Sequence, residues 1–271
     1  MPDVAVAPFV PAAQSYVPVA CLVCGAENPS TPTRDRYGFR VGASRCACGF
    51  GYLNPQMSAP GYRAFYDGAY RALVQGWYRR HGLPTDDVVD PQAQSRGRLI
   101  GGLAARMSPM RPIALCDVGG STGVIAEGIS QMWPVTTVTI VDPNPYELGQ
   151  AAARGYTTIC ALAEDAPTLP PQDAFVCAQT LDHARDPLAV LRWMRGMLAP
   201  GGWLYVDVVD AAKWAVKTDR WPQFDWKLDH PCYWTAPTLK AALTATGWRP
   251  RMAVTRGMGS HHVGVFCEGA A

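Results

Sequence analysis

Asp117-Val118-Gly119-Gly120-Ser121-Thr122-Gly123 is the stretch on which the reading of this chain turns. It closes an apolar run, Ile113–Val118, that reads as a buried strand, and it opens Val124–Met132, which reads as a helix. Small residues between strand and helix let the backbone come close to a ligand. The helix that follows aims its amide dipoles at a negative group. Asp117 stands two residues before the first glycine, at the strand end. A carboxylate there pairs with an ammonium group and repels a pyrophosphate.

The alternation of strand and helix continues beyond this turn. Val135–Val141 is rich in β-branched residues and is stopped by Pro143 and Pro145. Asp142 ends this second strand, where an acid accepts hydrogen bonds from both hydroxyls of a ribose. A site offering places for a ribose, an amino group and a carboxylate, and none for a diphosphate, suits S-adenosylmethionine better than NAD. Tyr146–Arg154 reads as the next helix, Tyr156–Cys160 and Ala174–Ala178 as strands, and Pro187–Leu198 as a helix ended by Pro200-Gly201-Gly202. Trp203–Val209 is a fifth strand, with Met252–Thr255 and Val263–Cys267 strand-like beyond it. This rhythm predicts an α/β, Rossmann-like parallel sheet with right-handed crossovers and a ligand at the carboxyl ends of its strands.

The glycine turn resembles motif I of the class I S-adenosylmethionine-dependent methyltransferases, Asp/Glu-x-Gly-x-Gly-x-Gly, with Ser121 in place of the middle glycine. Ala163-Glu164-Asp165 follows the third strand, where that family contacts the adenine. The segment from Cys177 through Gln179, Asp182 and His183 to Asp186-Pro187 resembles the family's "LEHxxDP" element. Leu198-Ala-Pro200-Gly201-Gly202 resembles its "LkPGG" turn. The resemblance implies a methyltransferase in which Asp117, Gly119, Gly120, Ser121, Thr122 and Gly123 wrap the methionine part of the cofactor. Asp142 and Pro143 then lie at the ribose, Ala163, Glu164 and Asp165 at the adenine, and Gln179 beside the cofactor.

A different chemistry opens the chain. Cys21-x-x-Cys24 and Cys46-x-Cys48 form two pairs of thiols on glycine-ended knuckles, a set suited to structural, tetrahedral zinc. Four thiolates leave no open coordination position for catalysis. Gly49 to Pro55 and the tyrosines after it resemble the amino-terminal region of zinc-ribbon methyltransferases such as the deoxysugar C-methyltransferases. Those sugar enzymes carry a further carboxy-terminal domain that this sequence does not show. The divisions expected are a loose, proline-bearing leader (1–15), a zinc-ribbon module (16–56), a helical connector capping the acceptor (57–110) and the cofactor-binding domain (111–271). The remaining cysteines, 116, 160, 177, 232 and 267, sit in or beside apolar runs and read as core.

Methyl transfer from a sulfonium needs an aligned acceptor and, for an alcohol or a carbon acid, a base. His183 follows the fourth strand, and His230 lies in Leu228-Asp229-His230-Pro231. The resemblance implies that both, together with Tyr66 or Tyr70, meet the acceptor; a helix-capping or structural role is the alternative for His183. His261 and His262 read as surface residues, and His81 carries no signal. Trp214, Trp221, Phe224, Trp226, Tyr233 and Trp234 suggest a wall or lid (211–235) over a ring-shaped acceptor, with core packing as the alternative.

The charge balance, 24 basic against 22 acidic residues, speaks against a nucleic-acid partner. Even so, a zinc-ribbon RNA methyltransferase remains a competing reading, beside an NAD-dependent oxidoreductase and a non-catalytic S-adenosylmethionine-binding protein. No apolar run reaches the length of a membrane span, and no export signal is evident, so the nine cysteines point to a reducing, cytoplasmic setting. The expected partner is a small sugar-like or secondary-metabolite acceptor.

Overall fold

The computed structural model describes residues 15–82, 92–107, 111, 113–213, 225–254 and 262–270. Its centre is a seven-stranded sheet. Five parallel strands are β6 (Ile113–Val118), β7 (Val135–Asp142), β8 (Thr157–Cys160), β9 (Gln172–Ala178) and β10 (Leu198–Val209), joined by helices α4 (Val124–Ser130), α5 (Pro145–Ala153) and α6 (Pro187–Gly196). Two antiparallel strands, β12 (Trp248–Val254) and β13 (His262–Gly269), complete the edge order β12-β13-β10-β9-β6-β7-β8. The neighbours β6 and β9 are joined by a chain excursion through β7 and β8. That reversal of direction opens a crevice at their carboxyl ends, where such sheets bind ligands.

The central strands are buried on both faces, which is why they read as near-continuous apolar runs. Cys116, Cys177, Cys232 and Cys267 are buried as expected, whereas Cys160 is exposed at the end of β8. Strand β10 starts five residues earlier than the sequence suggests. Leu198 pairs with Gln172 before the register shifts, so Pro200-Gly201-Gly202 forms a bulge inside the strand rather than a stop before it.

Three helices precede the sheet: α1 (Ala59–Gly68), α2 (Tyr70–Arg80) and α3 (Ala93–Met107). α3 lies tightly against α4 because Gly97 faces backbone. A Cβ there would sit 2.2 Å from the Ile125 carbonyl oxygen. The close approach carries Ala93 and Arg96 to the mouth of the crevice.

The amino-terminal module contributes β1 (Tyr16–Val17), β2 (Thr31–Arg34), β3 (Arg40–Arg45), β4 (Gly51–Leu53) and β5 (Gln56–Met57). Its sheet is not closed on itself. β4 pairs with β11 (Cys232–Tyr233), which precedes α7 (Ala236–Ala245), giving the order β11-β4-β3-β2. Phe50 packs edge-on against Trp234 with ring centroids 4.8 Å apart, so module and sheet share one apolar core. Among the described residues, no helix is long and apolar enough to cross a membrane.

Candidate active site

A cavity of about 270 Å³ opens at the carboxyl ends of β6, β7 and β9. Its floor is the glycine turn. Gly119 adopts φ +71°, and a Cβ there would lie 2.1 Å from the Thr180 hydroxyl, so only glycine fits. Ser121, also at positive φ, presents its amide to Asp142 Oδ2 at 3.0 Å; Asp142 Oδ1 accepts from Asn144 N at 2.8 Å. Each carboxylate oxygen keeps a second lone pair for a hydroxyl in the cavity. Burial pushes the Asp142 carboxyl pKa up.

Asp117 lies one layer beneath the cavity floor. It is 1% exposed, and its Oδ2 has no hydrogen-bond partner. Burial, followed by the carboxylate of Asp142, pushes its pKa up to about 7. An acid with one buried, unpartnered oxygen under a side-chain-poor turn fits an ammonium group above it. Arg96 supplies the opposite charge. It lines the same end of the cavity, and with the Gln179 amide turned so that its oxygen faces Arg96, the two terminal guanidinium nitrogens donate to it at 2.8 and 2.7 Å. Sequence reading missed Arg96 because its position follows from the α3–α4 packing and from no motif.

Of the residues expected at the cofactor, Gly119, Gly120, Ser121, Thr122, Asp142, Pro143, Ala163, Glu164 and Gln179 line the cavity. Gly123 caps α4 from beneath. Asp165 does not join them: its carboxylate takes a two-pronged ion pair from Arg63 at the surface, 2.8 and 2.7 Å. The Glu164 carboxylate accepts the amides of Arg185 and Asp186, which fixes the turn after His183. Across the rim, Arg71 of α2 pairs with Glu147 of α5.

His183, Tyr66 and Tyr70 also line the cavity wall. His183 Nδ1 is 3.0 Å from the Tyr66 hydroxyl, and the Tyr66 and Tyr70 rings lie 4.6 Å apart. His230 stands behind His183, ring centroids 4.0 Å apart, and does not line the cavity. Its Nδ1 is 3.2 Å from Asp182 Oδ2, and its Nε2 is 3.4 Å from Lys227 Nζ. Burial, then the neighbouring His183 and Lys227, lowers its pKa to about 4. A neutral ring that donates from Nδ1 and accepts at Nε2 satisfies both partners. Asp229 Oδ2 lies 4.0 Å from His183 Nδ1 and 3.7 Å from His230 Nε2, joining the two rings.

The expected lid fares differently. Trp226, Tyr233 and Trp234 are buried and pack in the interior, while Trp214, Trp221 and Phe224 lie outside the described residues. His262 is half-buried on β13, 3.9 Å from Asp207 Oδ1, and is no surface residue; His261 lies outside the described residues. His81 stacks on Trp77.

In the module, Cys21 and Cys48 Sγ atoms lie 3.7 Å apart and those of Cys24 and Cys46 3.4 Å apart, all four within 4.8 Å. Tetrahedral zinc with bonds of about 2.3 Å requires edges of about 3.8 Å. The amides of Gly25 and Gly49 close each knuckle by bonding back to the Cys21 and Cys46 carbonyls. The donor set fits the ion.

Solved structures share this architecture at low identity. The 1,6-didemethyltoxoflavin-N1-methyltransferase of Burkholderia thailandensis aligns with a TM-score of 0.57 and 16% identity over 85% of this chain and 96% of that one. An S-adenosylmethionine-dependent methyltransferase of Clostridium acetobutylicum aligns at 0.53 and 11% identity, over 75% and 100%. Among curated proteins, a ubiquinone biosynthesis O-methyltransferase of Marinobacter nauticus is 31% identical over 104 residues, 35% of this chain and 43% of the relative. Trans-aconitate 2-methyltransferase of Mycolicibacterium gilvum is 27% identical over 139 residues, 45% and 54%. The chain spans about half the length of these relatives, or less. A family model described as a methyltransferase domain matches residues 92–251, the span that holds the glycine turn, Asp142, His183 and His230. With a class I sheet beneath a cavity lined by the glycine turn, Asp142 and His183, the chain belongs to that methyltransferase-domain family.

Proposed function

We propose that this protein transfers a methyl group from S-adenosylmethionine to a hydroxyl or acidic carbon of a small, ring-bearing acceptor. The observation that carries the reading is a single cavity that joins the Asp142 and Gly119–Thr122 end to His183 and Tyr66. When bound, the cofactor supplies an electrophilic methyl on a sulfonium.

Every other task falls to the chain. Asp142 accepts the ribose hydroxyls. Asp117 and Arg96 bracket an amino acid by its two opposite charges, and Leu162 and Ala163 offer an apolar edge to the adenine. Tyr66 and Tyr70 present aromatic faces to the acceptor, and His183, at the cavity wall, removes its proton. His230 acts behind His183 as a positioning residue, with Asp229 placed to stabilise the proton that His183 takes up. The buried carboxylates of Asp182 and Asp229 lie against the two rings. They stabilise a positive charge gained there, which suits an O–H or C–H acceptor that must lose a proton. We further propose that the four cysteines hold structural zinc.

The test measures binding and turnover separately. S-adenosylhomocysteine is expected to bind wild type and His183→Ala equally in calorimetry, while turnover on an acceptor found by screening ring-bearing alcohols and carbon acids collapses in the variant. Failure to bind the ligand at millimolar concentration, or full turnover by His183→Ala, overturns the reading.

A further inference from the structure

The cysteine module touches none of the cavity, yet it grips the segment that carries Asp229 and His230 at both ends. On the far side, Leu53 N donates to Pro231 O at 3.0 Å, and β4 pairs with β11 through Tyr52–Cys232 and Gly51–Tyr233. On the near side, Arg36 N donates to Trp226 O at 2.8 Å, and the Arg36 guanidinium pairs with Asp225. Between these ends the buried Asp35 adds a tie of its own. Its carboxylate is buried, with Oδ1 accepting from Tyr37 N at 2.9 Å and Phe39 N at 2.8 Å within its own turn. Oδ2 reaches across the chain to Leu228 N at 3.0 Å, one residue before Asp229.

We propose that Asp35 is a positioning residue for the proton-accepting pair, through which the cysteine module sets the placement of Asp229 and His230 without contacting the cofactor. This rests on His183 and His230 working together in proton removal. One carboxylate oxygen holds the module's turn in shape and the other holds the loop, so their relative position is fixed by a rigid group two bonds long. Misplacing a reacting group by about 1 Å costs on the order of 100-fold in rate, so such a brace matters. The plain alternative is a buried acid that only staples two segments for stability.

Asp35→Asn separates the two. The two turn amides hold the side-chain oxygen in place, so the amide NH₂ replaces Oδ2 and faces the Leu228 N–H donor. The turn survives and only the tie to the loop is lost. The readout is the titration of the His230 ring by NMR, in zinc-containing protein bound to S-adenosylhomocysteine. His230 is faced by Asp182, Asp229, His183, Lys227 and the Tyr233 ring. Removing a negative charge nearby would by itself lower the imidazole pKa, whereas loosening the loop hydrates the ring and raises it. The expected result is an upward shift of about one pH unit or more from the wild-type value. Zinc content is expected to stay unaltered, and affinity for S-adenosylhomocysteine to stay within about twofold, below the 0.6 kcal/mol thermal scale. An unmoved or lowered titration, or an equal weakening of ligand affinity, overturns the proposal.

If the variant does not fold, hydrogen exchange in the wild type decides. The Leu228 amide is expected to be as protected as the strand amides of β4, and exchange at the rate of an exposed loop removes the brace. Neither readout uses turnover. Should His183→Ala prove fully active, the role in proton removal fails with the base assignment, while the Asp35 readouts still report whether the brace holds the loop.

Discussion

The Tyr66 hydroxyl and His183 Nδ1 are 3.0 Å apart, although 117 positions separate the two residues in the chain. The Tyr62 hydroxyl donates to the His183 carbonyl and lies 3.5 Å from the Tyr66 oxygen. Where the Tyr66 oxygen accepts from Nδ1–H of His183, the basic lone pair falls on Nε2. A tyrosine of α1 is thus placed to bias the tautomer of the wall histidine.

Tyr66→Phe is therefore expected to slow turnover by about tenfold, as the ring begins to sample the inactive tautomer, while affinity for S-adenosylhomocysteine holds. His183→Ala is expected to cost about 100-fold to 10,000-fold, the usual worth of a placed base. Steady-state kinetics on one acceptor, with ligand affinity measured in parallel, checks both. Equal turnover by Tyr66→Phe and wild type would show that the hydroxyl does not set the tautomer.

Gly119→Ala offers a sharper test of the cavity floor. The substitution meets two obstacles: the positive φ, and a Cβ 2.1 Å from Thr180 Oγ1. Backbone incompatibility alone costs more than about 1 kcal/mol, and displacement of Thr180 narrows the cavity. The variant is expected to melt earlier and to bind S-adenosylhomocysteine more than about tenfold less tightly, a loss of about 1.4 kcal/mol. The double variant with Thr180→Ala should recover part of the affinity, because it relieves the collision and leaves the backbone strain. Wild-type affinity in the single variant would remove the glycine from the binding floor.

The sheet and its glycine turn were legible because parallel strands buried on both faces leave apolar runs, and their turns leave glycine and proline at fixed intervals. Asp117 and Asp142 could be placed for the same reason, each lying at the end of its strand, and His183 in the loop that follows one. What stayed hidden depends on packing between distant segments. Arg96 reaches the cavity only because Gly97 lets α3 close on α4. His230 carries the same acid–His pattern as His183, yet tertiary packing puts one at the cavity wall and the other behind it. Aromatic density near the end of the chain does not distinguish a lid from a core, and Trp226, Tyr233 and Trp234 proved to be core. The sharing of β4 with β11 had no signal at all in two short strands so far apart.

The thiol cluster predicts about one zinc per purified chain, because the four sulfurs lie within 4.8 Å of one another, two of the separations being 3.7 and 3.4 Å. Cys48→Ser removes one exposed ligand and should abolish stoichiometric metal and lower the melting temperature. Apparent zinc affinities of small modules, on the order of 10 kcal/mol, make that loss large. Metal analysis and a thermal scan suffice. A metal-free wild type with an unchanged melting temperature would show the cysteines to be plain packing.

Asp117 predicts that cofactor binding is linked to proton release. Its carboxyl is held near a pKa of about 7 by burial and by Asp142, above the 3.8 of an ordinary aspartate. The folded chain thus keeps a proton that the unfolded chain gives up. The stability this contributes is full at low pH and is lost as the pH rises through about 7. An ammonium group seated above the glycine turn reverses the preference, because it interacts favourably only with the ionised form. Binding below pH 7 must then expel the proton. At pH 6 about one proton should leave per molecule of S-adenosylhomocysteine bound, and affinity should fall by up to about tenfold for each pH unit below 7. Calorimetry in two buffers of different ionisation enthalpy counts the proton directly. Asp117→Asn should bind more weakly at pH 8 and release none at pH 6. A count near zero in the wild type at pH 6 would mean that the buried carboxylate does not meet the amino group.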